Sequence, residues 1–333
     1  MKAYALQKFG SDGMVIVDRT IPEPQANQVR LKMHAWSLNY RDWMTVTGRY
    51  NPRLPMPQIP LSDGAGQVDA VGSNVTTVKI GDRVANTFFE RWTSGEPTDE
   101  TAKTALGAGR DGVLAEYIVL HEEGVIPISD HLSYVEAATL PCAALTAWNA
   151  LVTQGGIRPG DIVLTLGTGG VSIFALQFAR LNGAQVIITS SSDDKLARAK
   201  QLGATHTVNY TKIPDWGKHI RQITGGRGVD LVVEVGGSGT FNQSITALKR
   251  GGIVSLIGVL AQGNANILPI LMNSIRVQGI FVGSREMFSA MNAAIAFHQM
   301  HPVVDRIFGF DQLQEAFKLM ESGGHFGKIC MSI

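Results

Sequence analysis

Cysteine is nearly absent from this chain: among 333 residues only Cys142 and Cys330 carry a thiol. Two are too few for a disulfide framework, which fits a reducing compartment. None precedes Pro141, so the first part of the chain cannot build a four-cysteine metal lobe. Charge of one sign is missing too, because 29 Lys and Arg oppose 28 Asp and Glu. No net field is left to attract nucleic acid or an acidic membrane surface, and neither is expected as a partner. The richest apolar stretches, such as Gly251 to Ala261, fall short of the roughly 20 residues that a membrane span needs. The opening MKAYALQKFGSDG has no apolar signal-peptide core. A cytoplasmic location and small-molecule chemistry are the expectation. There is no internal repeat and no low-complexity tract.

What is present has two textures, and the length favours two domains. Short runs of alternating apolar and polar residues, Val29 to His34 and Gly66 to Val71, are punctuated by Pro, Gly and Asn in the first quarter. They read as a small β-rich unit. Four prolines between Asn51 and Pro60, and a polar stretch from Glu90 to Asp111, read as loops at a site edge. From about Ala137 apolar strands alternate with helices: strands at 161–166, 185–189, 230–235 and 252–257, helices at 171–181 and 195–202. That rhythm implies a doubly wound parallel sheet of six strands. After Leu271 come a strand-like 275–282, helices at 289–299 and 312–320, and a closing strand, which return to complete the first domain.

Gly167-Thr-Gly-Gly-Val-Ser172 follows an apolar strand and opens an amphipathic segment. Gly167 permits a tight turn and Gly169 lets the backbone approach a pyrophosphate. The amides at Gly170 and Val171 aim a positive helix end at it. Ser172 replaces the third glycine of a dinucleotide fingerprint and is still small. A plain strand-to-helix turn is the bland alternative. The next strand ends at Ser190, 23 residues after Gly167, where NAD-binding sites carry a ribose-gripping acid. Here the row reads Thr-Ser-Ser-Ser-Asp-Asp-Lys. Hydroxyls of Ser190 and Ser191 with Lys195 suit a 2′-phosphate, so NADP(H) is the expected cofactor. The serines also read as a helix cap and Lys195 as a solvated surface residue.

Ser37-Leu-Asn-Tyr-Arg-Asp42, Asp63-Gly-Ala-Gly66, Lys79-Ile-Gly-Asp-Arg-Val84, Gly112-Val-Leu-Ala-Glu-Tyr117, Leu140 to Trp148 and the Gly167 loop occur in that order. With them, essentially the whole chain resembles the medium-chain dehydrogenase/reductase superfamily, in its zinc-independent quinone oxidoreductase-like branch. The resemblance implies a GroES-like β-rich catalytic domain (1–125 and 272–333) and a Rossmann domain (126–271), with the active site in the cleft. Zinc-dependent relatives bind metal through Cys, His and Cys. The matching positions here are Asn39, Ser62 and Cys142, of which only the last is an ordinary zinc donor. Asp63 is an alternative ligand by type, and none of the eight histidines forms a ligand-like cluster. No metal is expected, and Cys142 reads as a small buried hydrophobe.

Without a Lewis acid to ionise an alcohol, hydride transfer to an electron-poor quinone or α,β-unsaturated carbonyl is the easier chemistry. The resemblance makes Asn39 and Tyr50 the hydrogen-bond donors. Asn39 equally reads as a helix cap, Tyr50 as a loop aromatic, and Asp42 as a loop-orienting group. By resemblance alone, Thr146 touches the nicotinamide and Tyr210 lies near the adenosine phosphate. Gly258 and Val259, with Phe281 to Gly283, should line the nicotinamide end. Lys328 reads as a phosphate contact or an exposed lysine. Trp43, Phe88, Phe89 and Trp92 read as cleft walls or as core, and Asp82-Arg83 as a turn ion pair. The apolar 267–282 segment suggests a homodimer edge. An NADP-dependent alcohol/aldehyde dehydrogenase and a non-catalytic NADPH-binding protein are the rival readings.

Overall fold

The computed structural model describes every residue except 259, 261 and 262. The chain divides into two compact units, Met1–Leu145 with Gly283–Ile333, and Thr146–Val282. Both divisions come later than the expected 125/126 and 271/272. The first shifts because the helical turn Tyr134–Ala137 packs on strands of the first unit. The second shifts because Arg276–Gly279 pairs in the sheet of the second unit.

The first unit contains β1 (Lys2–Leu6), β2 (Met14–Asp18), β3 (Gln28–Leu38), β4 (Asp63–Val71), β5 (Arg83–Asn86), β6 (Tyr117–His121) and β7 (Val125–Pro127). The second contains β8 (Ile162–Leu166), β9 (Gln185–Ser190), β10 (His206–Asn209), β11 (Val229–Glu234), β12 (Leu248–Leu256) and β13 (Arg276–Gly279). The chain then returns to the first unit with β14 (Val304–Gly309) and β15 (Lys328–Ser332).

In the first unit the main sheet runs β14-β15-β3-β4-β5-β7, with β6 also paired to β3. Residues 28–34 of β3 alternate between core and surface, as their pattern predicts; residues 35–38 are buried on both faces. That difference follows from pairing. The first half of β3 lies between β4 and β6, the second between β4 and β15. Trp36 anchors the core and donates its indole N–H to Val113 O at 2.6 Å. The aromatics Trp43, Phe88, Phe89 and Trp92 are all buried and belong to the interior of this unit. Asp82 pairs with Lys79 at 2.6 Å, while Arg83 bonds Leu132 O and lies over the Tyr134 ring, so the expected Asp82-Arg83 pair does not form.

The second unit is a six-stranded parallel sheet in the order β10-β9-β8-β11-β12-β13. Its strand direction of winding reverses between β8 and β11, the place where such sheets bind ligands at strand carboxyl ends. The helix Gly170–Leu181 buries Ile173, Phe174, Leu176 and Phe178. Four-residue β10 escaped the sequence pattern because it is too short to display a period. No helix among the described residues is long and apolar enough to cross a membrane.

Candidate active site

The loop after β8 has the shape its sequence implies. Gly167 sits at φ 72°, a left-handed conformation that any side chain would strain. Gly169 has ordinary extended backbone (φ −77°, ψ −177°), yet a Cβ there would meet no atom within 4 Å. Glycine at 169 therefore keeps a space open rather than relieving strain. Gly170 and Val171 begin the helix, whose first turn has no side-chain cap, so its positive end faces that space. Ser172, in the third glycine position, donates its hydroxyl to Leu166 O at 2.6 Å and ties helix to strand. This cradle fits a dinucleotide pyrophosphate.

At the end of β9, Ser190 is buried and its Oγ accepts from Ser192 N–H at 3.2 Å, while Ser191 is exposed. Ser192 caps the helix Asp193–Gln201, and Lys195 lies half-buried in its first turn. Tyr210 joins them through its N–H, which donates to Ser190 O at 3.1 Å; its ring is exposed. The sequence reading missed three neighbours. Asn209 donates to Ser191 O and Asp193 Oδ1, and Lys212 pairs with Asp193 at 2.5 Å. The Asp193 carboxyl is accordingly held below its ordinary range by Lys212 and Asn209. The acid nearest the strand end is thus a carboxylate with an exposed lysine beside it. Only the Val-Asn-Tyr run at the end of β10 hinted at this.

The expected nicotinamide-end residues are spread over several segments. Thr146 is buried in the helical turn Leu145–Trp148. Gly258 is required by backbone approach, since a Cβ would lie 2.0 Å from Val235 O; Val259 lies outside the described residues. The loop there is held by Glu234, whose carboxylate accepts from Gly236 N–H, Gly237 N–H, Thr240 Oγ1 and Ser244 Oγ. Phe281 is exposed. Val282 has φ 56°, strained for a β-branched residue, and its carbonyl accepts from Asn149 Nδ2 at 2.7 Å. Gly283 begins the return of the first unit, where a Cβ would press on Leu145 at 3.0 Å.

In the first unit, Asn39 follows β3 and is the N-cap residue of the helix Tyr40–Val46. Its N–H donates to Asp42 Oδ2 at 2.8 Å, so Asp42 does orient this turn. Lys328 is not an exposed lysine. It is 3% exposed, and its ammonium donates to Leu38 O at 2.7 Å and Asn39 Oδ1 at 2.6 Å. The sequence carried no signal of this contact, made by residues 289 positions apart. Asp63, also fully buried, accepts from Ser62 Oγ at 2.6 Å and Cys142 N–H at 3.0 Å. Asn86 staples the same turn, donating to Ser62 O and accepting from Gly64 N–H. Leu61, at φ 66°, delivers Ser62; Gly107 and Gly112 leave room for its carbonyl, which a Cβ at either position would strike.

Arg41 and Tyr50 complete the group. Arg41 donates to Leu106 O at 2.8 Å, lies 3.3 Å from Asp42 Oδ1, and faces the rings of Phe88 at 4.7 Å and Tyr50 at 5.8 Å. Four buried polar atoms without a hydrogen bond fall on this one segment: Asn39 Nδ2, Arg41 Nε and Nη1, and Asp42 Oδ1. Such concentration of unmet polar groups is a mark of a functional site. The Asn39 carboxamide lies beside Asp63 and eases its charge, although the contact is not a well-aligned hydrogen bond. Burial pushes Asp42 up to about 6, and pushes Asp63 and the Tyr50 phenol upward as well. Tyr50, 38% exposed, therefore keeps its proton near neutral pH and presents a reachable donor.

Comparison with known proteins decides the family. Residues 25–130 match the alcohol dehydrogenase GroES-like domain, and residues 170–297 the zinc-binding dehydrogenase family. A zinc-type alcohol dehydrogenase-like protein of Schizosaccharomyces pombe is 46% identical over 92% of this chain and 91% of its own. This chain belongs to the medium-chain dehydrogenase/reductase superfamily. A crystal structure of an NAD-dependent alcohol dehydrogenase superposes with a TM-score of 0.91 at 34% identity, covering 100% of both chains. Quinone oxidoreductase of Sus scrofa is 26% identical over 99% of this chain and 97% of its own. The protein is an oxidoreductase of a superfamily whose members use a nicotinamide cofactor.

The catalytic zinc of some dehydrogenase/reductases requires donors that this member commits elsewhere. Asn39 Oδ1 is taken by an ammonium, the Ser62 hydroxyl donates its hydrogen bond to Asp63, and both Asp63 oxygens are engaged. Desolvation, then the Asp63 charge, pushes the Cys142 thiol up, as befits a small buried side chain. A carboxamide, a hydroxyl and a single thiol beside a buried ammonium do not fit zinc. Among the described residues no cluster of three His, Cys, Asp or Glu side chains is arranged for a metal.

Proposed function

We propose that this dehydrogenase/reductase is NADP(H)-dependent and transfers hydride to a quinone or an α,β-unsaturated carbonyl without zinc. The observation that carries this reading is the donor set at Asn39, Ser62 and Cys142, of which only the thiol is an ordinary zinc donor, while the other two are already engaged and a buried ammonium sits on Asn39. Electron-poor acceptors need no Lewis acid. A reduced nicotinamide held by the Gly167 loop would supply the hydride; the acceptor oxygen, taking up the displaced electron pair, would receive its proton from Tyr50 or water. Asn39 donates a hydrogen bond to that oxygen. The preference for NADP(H) is supported by Ser190, Ser191 and Lys195 and by the pairing of Asp193 with Lys212.

A homodimer is part of the proposal. Edge strand β13 and the residues before it expose Ile267, Leu268, Leu271 and Met272, an apolar patch suited to a second copy. One preparation tests all of this. Steady-state rates with NADPH and NADH are measured against a small quinone, an enone, an aldehyde and an alcohol, together with metal content and mass by light scattering. NADPH-dependent reduction of quinone or enone by a metal-free dimer is expected. Stoichiometric zinc whose removal abolishes alcohol oxidation overturns the reading in favour of an alcohol/aldehyde dehydrogenase. Binding of NADPH with no acceptor reduced points instead to a non-catalytic protein, and a monomer removes the dimer.

A further inference from the structure

Resting on the reductase reading and deepening it, we infer that Lys328 is a positioning residue. Its buried ammonium fixes and polarises the Asn39 carboxamide, so that Asn39 meets the acceptor oxygen with its N–H edge.

The contact is dictated by register. Antiparallel pairing of β15 with β3 sets Ile329 opposite Leu38, which brings Lys328 beside Asn39. Lysine is among the residues least often fully buried, and burying its charge is costly unless something repays it. Here the two hydrogen-bond acceptors of the ammonium are neutral oxygens, Leu38 O and Asn39 Oδ1. Asp63 and Asp42 balance the charge from farther away. A structural ion pair would put a carboxylate at Nζ. This lysine instead grips one end of a carboxamide whose other end, Nδ2, lies toward Asp63 without a well-aligned hydrogen bond.

An amide has one acceptor end and two N–H donors, so holding Oδ1 on the ammonium fixes Nδ2: one N–H faces Asp63 and the second is left for the acceptor. The charge-assisted bond also draws electron density toward Oδ1 and strengthens the N–H groups as donors, as coupled hydrogen bonds do in a low-dielectric site. As hydride bonds to the acceptor carbon, the electron pair arriving on oxygen is met by that strengthened N–H. The neutralising proton comes from Tyr50 or water. The positive charge that zinc provides in other members thus acts here through one side chain.

The test is a double-mutant cycle on the full-length enzyme with Lys328→Met and Asn39→Ala, scored by kcat, KM and NADPH affinity. Loss of an oxyanion donor typically costs about 10²-fold or more in kcat, and Lys328→Met should approach that loss with NADPH affinity and KM unchanged. In the Asn39→Ala background the same substitution should cost nothing further. Lys328→Gln, a neutral donor of similar reach, serves if the methionine variant does not fold, and should fall between wild type and Lys328→Met. Additive losses, an unchanged kcat, or lost NADPH affinity at constant kcat overturns the proposal, the last restoring a phosphate contact. If wild type reduces neither quinone nor enone, the reductase reading fails by itself. The Lys328–Asn39 coupling is then decided by the Asn39 side-chain amide resonances, identified by their loss in Asn39→Ala. A shift in Lys328→Gln supports the coupling, and identical spectra refute it.

Discussion

Replacing Gly169 with alanine should separate the two reasons a glycine occurs in the cofactor loop. The backbone at 169 (φ −77°, ψ −177°) is open to any residue, and the new Cβ has no protein atom within 4 Å. Reduced freedom of the unfolded chain favours alanine by about 0.4–1 kcal/mol. Its poorer behaviour at a helix N-cap costs a similar ~0.5–1 kcal/mol. Net stability should therefore stay within about 1 kcal/mol of wild type. A pyrophosphate lying on the loop would meet the methyl directly, and such overpacking costs about 1–3 kcal/mol, a roughly tenfold to hundredfold rise in Kd. Gly167→Ala should invert the pattern, because φ 72° makes the folded state itself strained, by about 1–2 kcal/mol. Urea unfolding without cofactor and NADPH titration by calorimetry read the two quantities. An unchanged NADPH Kd in Gly169→Ala, with stability also unchanged, would show that the open space is not the pyrophosphate cradle.

The cofactor preference turns on the strand end of β9. Two like charges about 5 Å apart at an effective dielectric near 20 repel by about 3 kcal/mol, so Ser190→Asp with Lys195→Ala should weaken NADPH relative to NADH by roughly 10²-fold. A constant ratio of the two dissociation constants refutes the assignment. Asp42 supplies a pH dependence. Burial raises its carboxyl to about 6 in the folded protein, so as pH rises from about 4 to about 6 the unfolded chain releases this proton first. Folded-state stability from this group falls over that window, by about 3 kcal/mol at most. Asp42→Asn removes the effect, so the stability of the variant relative to wild type should rise as pH rises through it. A variant-minus-wild-type difference that is flat or falls with pH speaks against a raised Asp42.

Much of the dinucleotide half was legible in the sequence because its determinants are local. A strand of buried residues, a turn that needs Gly167, an open Gly169 and a helix start lie within one short run, and each follows from periodicity or backbone conformation. The absence of an acid at Ser190 was equally plain from spacing alone. What the sequence withheld is contact between distant segments. Neither the pairing of Asp193 with Lys212 nor the burial of Lys328 against Asn39 has a local signature, because charge on a lysine says nothing about where the chain will put it. The same limit displaced the unit boundaries, which depend on where Tyr134–Ala137 and β13 find packing partners. The sequence determined which chemistry each segment could offer: a phosphate-sized gap, hydroxyls at a strand end, no ordinary zinc donors at two of three positions. Only the tertiary structure decided that a buried ammonium and two carboxylates surround Asn39, because antiparallel register and the strained turn at Leu61 bring together groups that sequence order keeps apart.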